Sequence, residues 1–429
     1  ITHIADVRFE DGYIRTPLGG FVNHNTNPNC KLKQENNIFR IGVIGAGKFA
    51  TMFLTQAFRT EGFVISAIAD LDFNRAKQAL ITPNTDKELD KSSLEQSIKS
   101  NTIWFTDSGS ELAQSEQLDL VIEATGNPEA GVDHCLAAFK ARSHIVLVTV
   151  EADVLCGAAL VKRANEAGVV CSMAYGDQPA LICELIERVQ TSGFEVVCAG
   201  KGTQYLPIYH KSTPETVWKY YGLSAQEAQA GGMNAKMINS FLDRTKSCIE
   251  MESVPNASDL KLTEDALLFT PVGTSKLAQV LKPEMSGGIL SNSGIVEVVS
   301  SLNRDGSKIE DDLRYGVYVV FKANSSYVSR CFSEYGVPVD DTGEYAALWR
   351  PVHLIGLELG YSVARALLDK QPTGATRSFE ADAVAVAKKD LFKSEVLDGE
   401  GGTKVWGKLI SSNRSISCLL YTSPSPRDS

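Results

Sequence analysis

The stretch Gly45-Ala46-Gly47-Lys48-Phe49-Ala50 has GxGxxA spacing, with an apolar run before it and a helical pattern after it. Each small residue has a physical use. Gly45 permits a tight turn, Gly47 lets the backbone approach a bound group, and Ala50 lets the helix lie close to the strand. The free N–H groups and positive dipole end of that helix would face a phosphate. Asp70 ends the next apolar run and Arg75 lies just beyond it. In such a setting the acid meets ribose hydroxyls, whereas an arginine meets a 2′-phosphate. These residues imply a nicotinamide dinucleotide held by Gly45, Ala46, Gly47, Lys48 and Phe49, with NAD and NADP both open. Thr125-Gly126-Asn127 closes a later apolar run, where its backbone would lie along the nicotinamide ribose.

A dinucleotide site for carbonyl chemistry needs a proton donor and groups that hold substrate. Glu151 and Asp153 follow the next apolar run, and Asp153 would also serve as a helix cap. Lys201 stands between Gly200 and Gly202 just after a predicted strand, as a general acid or a phosphate clamp. Asp177, Asp243 and Lys246 complete the catalytic candidates, with Asn234 and Lys236 as nearby donors and Arg244 read as a solvated helix residue. Gly287, Gly288 and Gly294, with Ser291 and Ser293 between them, would suit an oxyanion cradle. His353, beside Arg350 and Pro351 at a predicted helix start, would be a proton relay or a structural histidine. Glu151, Asp153 and Asp177 are conceivable oxygen ligands, but no metal-ligand spacing occurs and the metal stays unknown.

The elements that must place these groups are legible in outline. Runs at Arg40–Gly45, Val64–Ala69, Asp119–Ala124, His144–Val150 and Val169–Met173 read as buried strands. Helical patterns at Lys48–Arg59, Asn74–Leu80, Glu129–Ala141 and Val154–Ala167 alternate with them. The alternation predicts an α/β fold, a Rossmann doubly wound parallel sheet. The polar stretch Thr82–Ser100 reads as an exposed insertion. After Tyr175 the pattern becomes α+β. Helices are expected at Pro179–Gln190, Ala235–Asp243 and Pro351–Leu368, and strands at Phe194–Ala199, Val296–Val299 and Gly316–Lys322.

The bulk numbers exclude some classes. With 43% hydrophobic and 22% charged residues, the chain of 429 residues reads as two or three globular domains. A net charge of −10 without basic blocks argues against nucleic acid and anionic membranes. No apolar run is long enough to span a bilayer. Nine scattered cysteines without metal spacing fit reduced thiols in a cytoplasmic protein.

Lys201, the Gly176-Asp177-Gln178-Pro179 turn, "SGGILSNSG", "WRPVHLIGLEL" and "AVAKKDL" together make residues 39–417 resemble the 1-deoxy-D-xylulose 5-phosphate reductoisomerase-like (DRL) family. The resemblance implies a cofactor domain like that of homoserine dehydrogenase, over 39–175. It also implies an α+β catalytic and dimerisation domain over 176–381 and a C-terminal SAF-like β-clip, here partial, over 382–417. The implied chemistry is NADPH-dependent reduction of a small polyol or sugar-phosphate carbonyl in isoprenoid biosynthesis, by a homodimer or higher homo-oligomer. Homoserine dehydrogenases carry a TANK motif where this chain has Thr149-Val150-Glu151-Ala152, so the functional lysine of that family is Ala152 here. The open alternatives are a homoserine-dehydrogenase-like enzyme of another small substrate and a non-catalytic dinucleotide sensor. Outside this span, "NHNTNPNC" at Asn23–Cys30 resembles a SET-domain methyltransferase signature, and residues 1–38 read as foreign to the family. The tail from Cys418, "CLLYTSPSPRDS", resembles translated adapter sequence, and the start at Ile1 reads as that of a fragment.

Overall fold

The computed structural model describes residues 38–230, 233–263 and 267–417, so the SET-like stretch and the tail from Cys418 lie outside the described residues. The described residues open with β1 (Phe39–Ile44), α1 (Lys48–Ala57), β2 (Phe63–Ala69) and α2 (Phe73–Ile81). There follow β3 (Leu89–Asp90), α3 (Leu94–Ser100), β4 (Ile103–Thr106), α4 (Gly109–Ala113), β5 (Leu120–Glu123) and α5 (Pro128–Lys140). The sheet closes with β6 (His144–Leu147), α6 (Val150–Ala167) and β7 (Cys171–Met173). All pairings are parallel, in the order β3-β4-β2-β1-β5-β6-β7. Strand order reverses between β1 and β5, and in such sheets the crevice for a ligand opens there at the carboxyl edge. The strands are apolar on both faces because helices cover both, which is why they read as continuous runs rather than as alternation.

A second sheet has the order β12-β11-β8-β10-β9. Its central strand β8 (Glu195–Thr203) follows α7 (Gln178–Thr191), runs parallel to β10 (Ile295–Ser300) and antiparallel to β11 (Val317–Lys322). The edges are β9 (Thr270–Pro271) and β12 (Tyr345–Arg350). Helices α8 (Ala235–Leu242) and α9 (Thr245–Ala257) precede β9, and α9 packs on the sheet through Cys248, Met251 and Val254. A hairpin of β13 (Ala381–Ala387) and β14 (Val405–Ser411) lies over α9. The Gly407 backbone amide donates to Thr245 Oγ1 at 2.9 Å, Asn256 Nδ2 donates to the Ala381 carbonyl at 3.1 Å, and Leu409 enters the same core. Among the described residues, no helix is long and apolar enough to cross a membrane.

Several expectations need correction. Thr82–Ser100 is not a bare insertion: Ser93 caps α3 through the Gln96 amide, and Leu94 and Ser97 are buried. Pro351–Leu368 is not one long helix. Arg350 still pairs with Val317 in the sheet, and Gly356, at φ +75°, brings the chain against Phe49 and Met52 of α1. A left-handed glycine ends helical continuity, so only Gly360–Ala364 is α-helical there, followed by a π turn at Arg365–Asp369. Helix α6 starts at Val150 rather than Val154, with Thr149 as its N-cap. Lys201 lies inside β8 rather than beyond it.

Candidate active site

The glycine loop has the geometry its spacing implies. Gly45 sits at φ +92°, and a Cβ there would stand 2.5 Å from the Ala124 carbonyl oxygen, so only glycine lets the two loops touch. Gly47 is the N-cap of α1 and has no side chain to cap it. A Cβ at Gly47 would meet nothing within 4 Å, so the space in front of the helix N-terminus is open. Uncapped N–H groups facing open space are a fit for a pyrophosphate.

Asp70 is used differently from the reading of it as a free ribose acceptor. Its Oδ2 accepts from the Ala46 amide at 2.7 Å, and its Oδ1 accepts from the Asp72 amide at 2.8 Å and from Arg75 Nη2 at 2.7 Å. Burial raises the pKa of this carboxyl, but the hydrogen bonds from Arg75 and the two amides outweigh it and hold it below the usual carboxylate range. Asp70 thus clamps the glycine loop, and the half-exposed Arg75 is the group that faces outward.

Thr125, Gly126 and Asn127 also hold the loop wall. Thr125 Oγ1 donates to Glu123 Oε1 at 2.5 Å, the Gly126 amide donates to Thr149 Oγ1 at 3.0 Å, and Asn127 Oδ1 accepts from the Ala130 amide as the cap of α5. The Asn127 side chain is therefore spent on capping, and Gly126, at φ +71°, stands open to the crevice.

Across the crevice, side chains from several elements converge. Lys201 Nζ donates to Glu250 Oε2 of α9, and both side chains are 6% exposed. Lys246 Nζ, one turn earlier on α9, donates to Glu151 Oε1 of α6 at 2.7 Å. Asp177, the N-cap of α7, feels the charges of Glu250, Lys246 and His353. Glu400, on the loop between β13 and β14, interacts with Lys246, Glu151 and Glu250. Lys246 would lose its proton more easily when buried, but Glu151, Glu250, Glu400 and Asp177 hold its pKa above the ordinary lysine value. Burial raises Glu250, yet Lys201 and Lys246 keep it ionised below its usual range. Asp177 goes the other way: burial and the charge of Glu250 push it up, which favours its protonated form. Burial also raises Glu400, against the pull of Lys246. His353 Nδ1 lies 2.7 Å from the Tyr315 carbonyl oxygen and donates its proton to it.

The glycines beside Lys201 are there for the chain itself. A Cβ at Gly200 would lie 1.7 Å from the Glu297 carbonyl oxygen, and one at Gly202 would lie 1.8 Å from that of Leu313. Neighbouring backbone fills the far face of β8, and Lys201 is turned to the other face.

Other candidates are drawn elsewhere. Asp153 is no cap; its buried carboxylate accepts from Ser253 Oγ at 2.8 Å and Thr376 Oγ1 at 2.7 Å. Asp243 is fully buried and its Oδ2 accepts from Lys388 Nζ at 2.7 Å, which ties the C-terminal hairpin to the α8–α9 corner. Arg244 is no solvated helix residue. At φ +82° it heads α9 with its guanidinium 4.0 Å from the Tyr205 ring centre and 3.8 Å from that of Phe269. Asn234 caps α8 through the Met237 amide. The Gly287–Gly294 loop sits at the start of β10, whereas Lys201 pairs with Val298 further along that strand, so the loop does not cradle anything beside Lys201. A Cβ at Gly288 would lie 1.9 Å from the Lys282 carbonyl oxygen, which accounts for that glycine by packing.

Glu250 and Glu400 are the site residues that sequence reasoning missed. Helix α9 is buried nearly all round and has Pro255 inside it, so no amphipathic period marks it. Only the three glycines around Glu400 hinted at a constrained loop. Among the described residues, no three His, Cys, Asp or Glu side chains converge as a metal-binding group.

Residues 39–175 match the oxidoreductase family model for an NAD-binding Rossmann fold (GFO/IDH/MocA), and residues 176–359 match the catalytic domain of oxidoreductase DRL. No curated protein matches the chain. Similar solved structures include 1-deoxy-D-xylulose 5-phosphate reductoisomerase from Zymomonas mobilis in complex with NADPH, at 15% identity and a TM-score of 0.34. The match covers 50% of this chain and 57% of that one, so the chain spans little more than half of that relative. Scyllo-inositol dehydrogenase from Lactobacillus casei, with NAD(H) and scyllo-inositol, is 7% identical over 73% of this chain and 76% of that one, with a TM-score of 0.37. An oxidoreductase from Agrobacterium radiobacter in complex with NAD+, L-tartaric acid and magnesium is 17% identical over 39% and 45% of the two chains, with a TM-score of 0.30.

Proposed function

The chain belongs with the NAD(P)-dependent oxidoreductases that join an NAD-binding Rossmann domain to a DRL catalytic domain, and on that premise we propose that it reduces the carbonyl of a small polyol or sugar phosphate, with NADPH as the preferred cofactor. The observation that carries the reading is the convergence of two lysine–glutamate pairs, the buried Lys201–Glu250 and the partly exposed Lys246–Glu151, beside Asp177 in the crevice between the two sheets.

The preference for NADPH is supported by the loop chemistry. Asp70 already accepts from two amides and Arg75, which leaves the outward guanidinium of Arg75 as the partner for a 2′-phosphate. When bound, the nicotinamide supplies the hydride. The chain's own residues do the rest. Lys246, kept charged by the surrounding carboxylates, attracts the substrate phosphate or the developing alkoxide, and Lys201 adds a second fixed ammonium. Asp177, which burial and the charge of Glu250 push toward its protonated form, is the group we assign to protonate the carbonyl oxygen, with His353 as its relay partner. If isomerisation precedes reduction, the same two ammonium groups can stabilise an enediolate. On the hairpin side the Glu400 loop is pinned to α8, where the Asn239 side-chain amide donates to the Gly401 carbonyl at 2.9 Å.

The test is oxidation of NADPH and NADH by the full chain, followed at the nicotinamide absorbance, with 1-deoxy-D-xylulose 5-phosphate and with unphosphorylated keto-polyols, each with and without magnesium or manganese. Oxidation that depends on the phosphorylated substrate and prefers NADPH is the expected result. Cofactor binding without turnover on any of these substrates would overturn the substrate class. Faster turnover with NADH would overturn the role given to Arg75.

A further inference from the structure

The amino edge of the Rossmann sheet, opposite the dinucleotide crevice, carries a cleft of about 560 Å³. Phe39, Leu118 and Leu367 form its apolar floor, and His144 lies at its inner wall. His144 is 8% exposed. Its Nδ1 accepts a hydrogen bond from the Val170 amide at 2.9 Å, so that nitrogen has no proton and the ring proton sits on Nε2. Facing Nε2, at 3.1 Å, is Lys370 Nζ. An ammonium has only donors. Two donors thus point at one another across the wall of a cleft, with no acceptor between them.

The rim repeats the theme. Arg142 and Lys370 both line the cleft, and both have left-handed backbones, at φ +61° and +56°. Each follows a helical segment, α5 and the Arg365–Asp369 turn, where glycine would be the unstrained choice. The chain instead places a cation at each, and Lys140 adds another. Cations at helix carboxyl ends also answer the helix dipole, but that would not bring Lys370 against a protonated imidazole nitrogen. The charged groups that oppose them are Glu116 on the rim and Asp119, whose Oδ2 accepts from the Arg40 amide at 2.7 Å.

We propose that this cleft is a second ligand site, for a small molecule with a phosphate or carboxylate group whose oxygen accepts from both His144 Nε2 and Lys370 Nζ once the exposed lysine side chain turns aside from the ring, with Arg142 and Lys140 as outer partners. A six-residue strand separates it from the glycine loop, a distance of about 20 Å, so it is distinct from the pyrophosphate site. Its occupant would bear on the chain as an effector rather than as the reacting substrate.

The test uses the full chain saturated with NADPH, so that the loop at Gly45 is filled. Inorganic phosphate and, separately, acetate are titrated while the ring nitrogen signals of the histidines are followed by NMR. The expected result is a saturable shift of the His144 signals, with the better of the two anions naming the headgroup. Lys370→Gly and Arg142→Gly each remove a cation while relieving a left-handed backbone, so both variants should fold with unchanged or raised melting temperature and bind the anion at least tenfold more weakly. No saturable shift in the parent chain would overturn the proposal and leave Lys370 as a surface lysine that swings to solvent. Unchanged anion affinity in both glycine variants would overturn it as well.

Discussion

Replacing Lys201 by alanine probes the centre of the proposed site. Lys201 and Glu250 are each 6% exposed, so removing the ammonium leaves a buried carboxylate with Lys246 as its remaining nearby cation. Breaking a buried pair from one side costs about 3–5 kcal/mol, and the share taken over by Lys246 places this case at about 3 kcal/mol. Removal of a preorganised charge at a developing oxyanion costs about 10²–10³-fold in turnover, equivalent to about 3–4 kcal/mol of barrier. Stability and catalysis therefore fall together in the single variant and do not by themselves separate the two roles. The double variant Lys201→Met with Glu250→Gln removes both charges at nearly constant volume. It should regain most of the stability while turnover stays low, with the affinity for NADPH close to that of the parent. Urea unfolding gives the first quantity, steady-state NADPH oxidation the second, and cofactor fluorescence titration the third. Turnover restored in the double variant, or never lost in the single one, would refute the assignment of Lys201 to substrate and leave the pair a structural one.

Gly47→Asp should leave the melting temperature nearly unchanged, because its Cβ meets nothing within 4 Å, yet abolish NADPH binding by placing a carboxylate where the pyrophosphate lies. Gly45→Ala should instead destabilise the fold, since it combines φ +92° with a contact of 2.5 Å to a carbonyl oxygen. Asp243→Ala uncovers the buried Lys388 and should cost about 3–5 kcal/mol in urea unfolding, while turnover per folded molecule falls far less than in Lys201→Ala. For His144, burial and the neighbouring Lys370 lower the pKa from 6.5 to about 4. The unfolded chain takes up that proton below pH 6.5 and the folded one does not. Stability is thus fully present above pH 6.5 and is lost as pH falls toward 4, by at most about 3 kcal/mol. His144→Gln should flatten that part of the stability curve, measured by unfolding at pH 4.5 and 7.

Much of the cofactor half was legible because its signals are local. The glycine loop needs small residues within six positions, and the strand–helix alternation shows itself in apolar runs of a few residues. The polar core of the second half is built over distance. Lys201 and Glu250 are 49 residues apart and Lys246 and Glu151 are 95 apart, so no spacing rule joins them. Where a signal was ambiguous, burial reversed it. Arg244 and Asp243 looked like a solvated helix end and a catalytic acid, but the fold stacks one between aromatic rings and spends the other on Lys388. Asp153 looked like a cap because the start of α6 was read four residues late.

That a parallel sheet places a glycine-rich helix N-terminus where an anion could bind follows from local residues, since turn sterics and helix termini act within a few positions. Which carboxylate faces which ammonium, and therefore which groups stay charged, which are pushed toward their protonated form and which hold the hairpin in place, is set by packing between distant elements. Charge pairing depends on distances and burial between elements far apart in the chain, and those exist only once the two sheets and α9 have packed together.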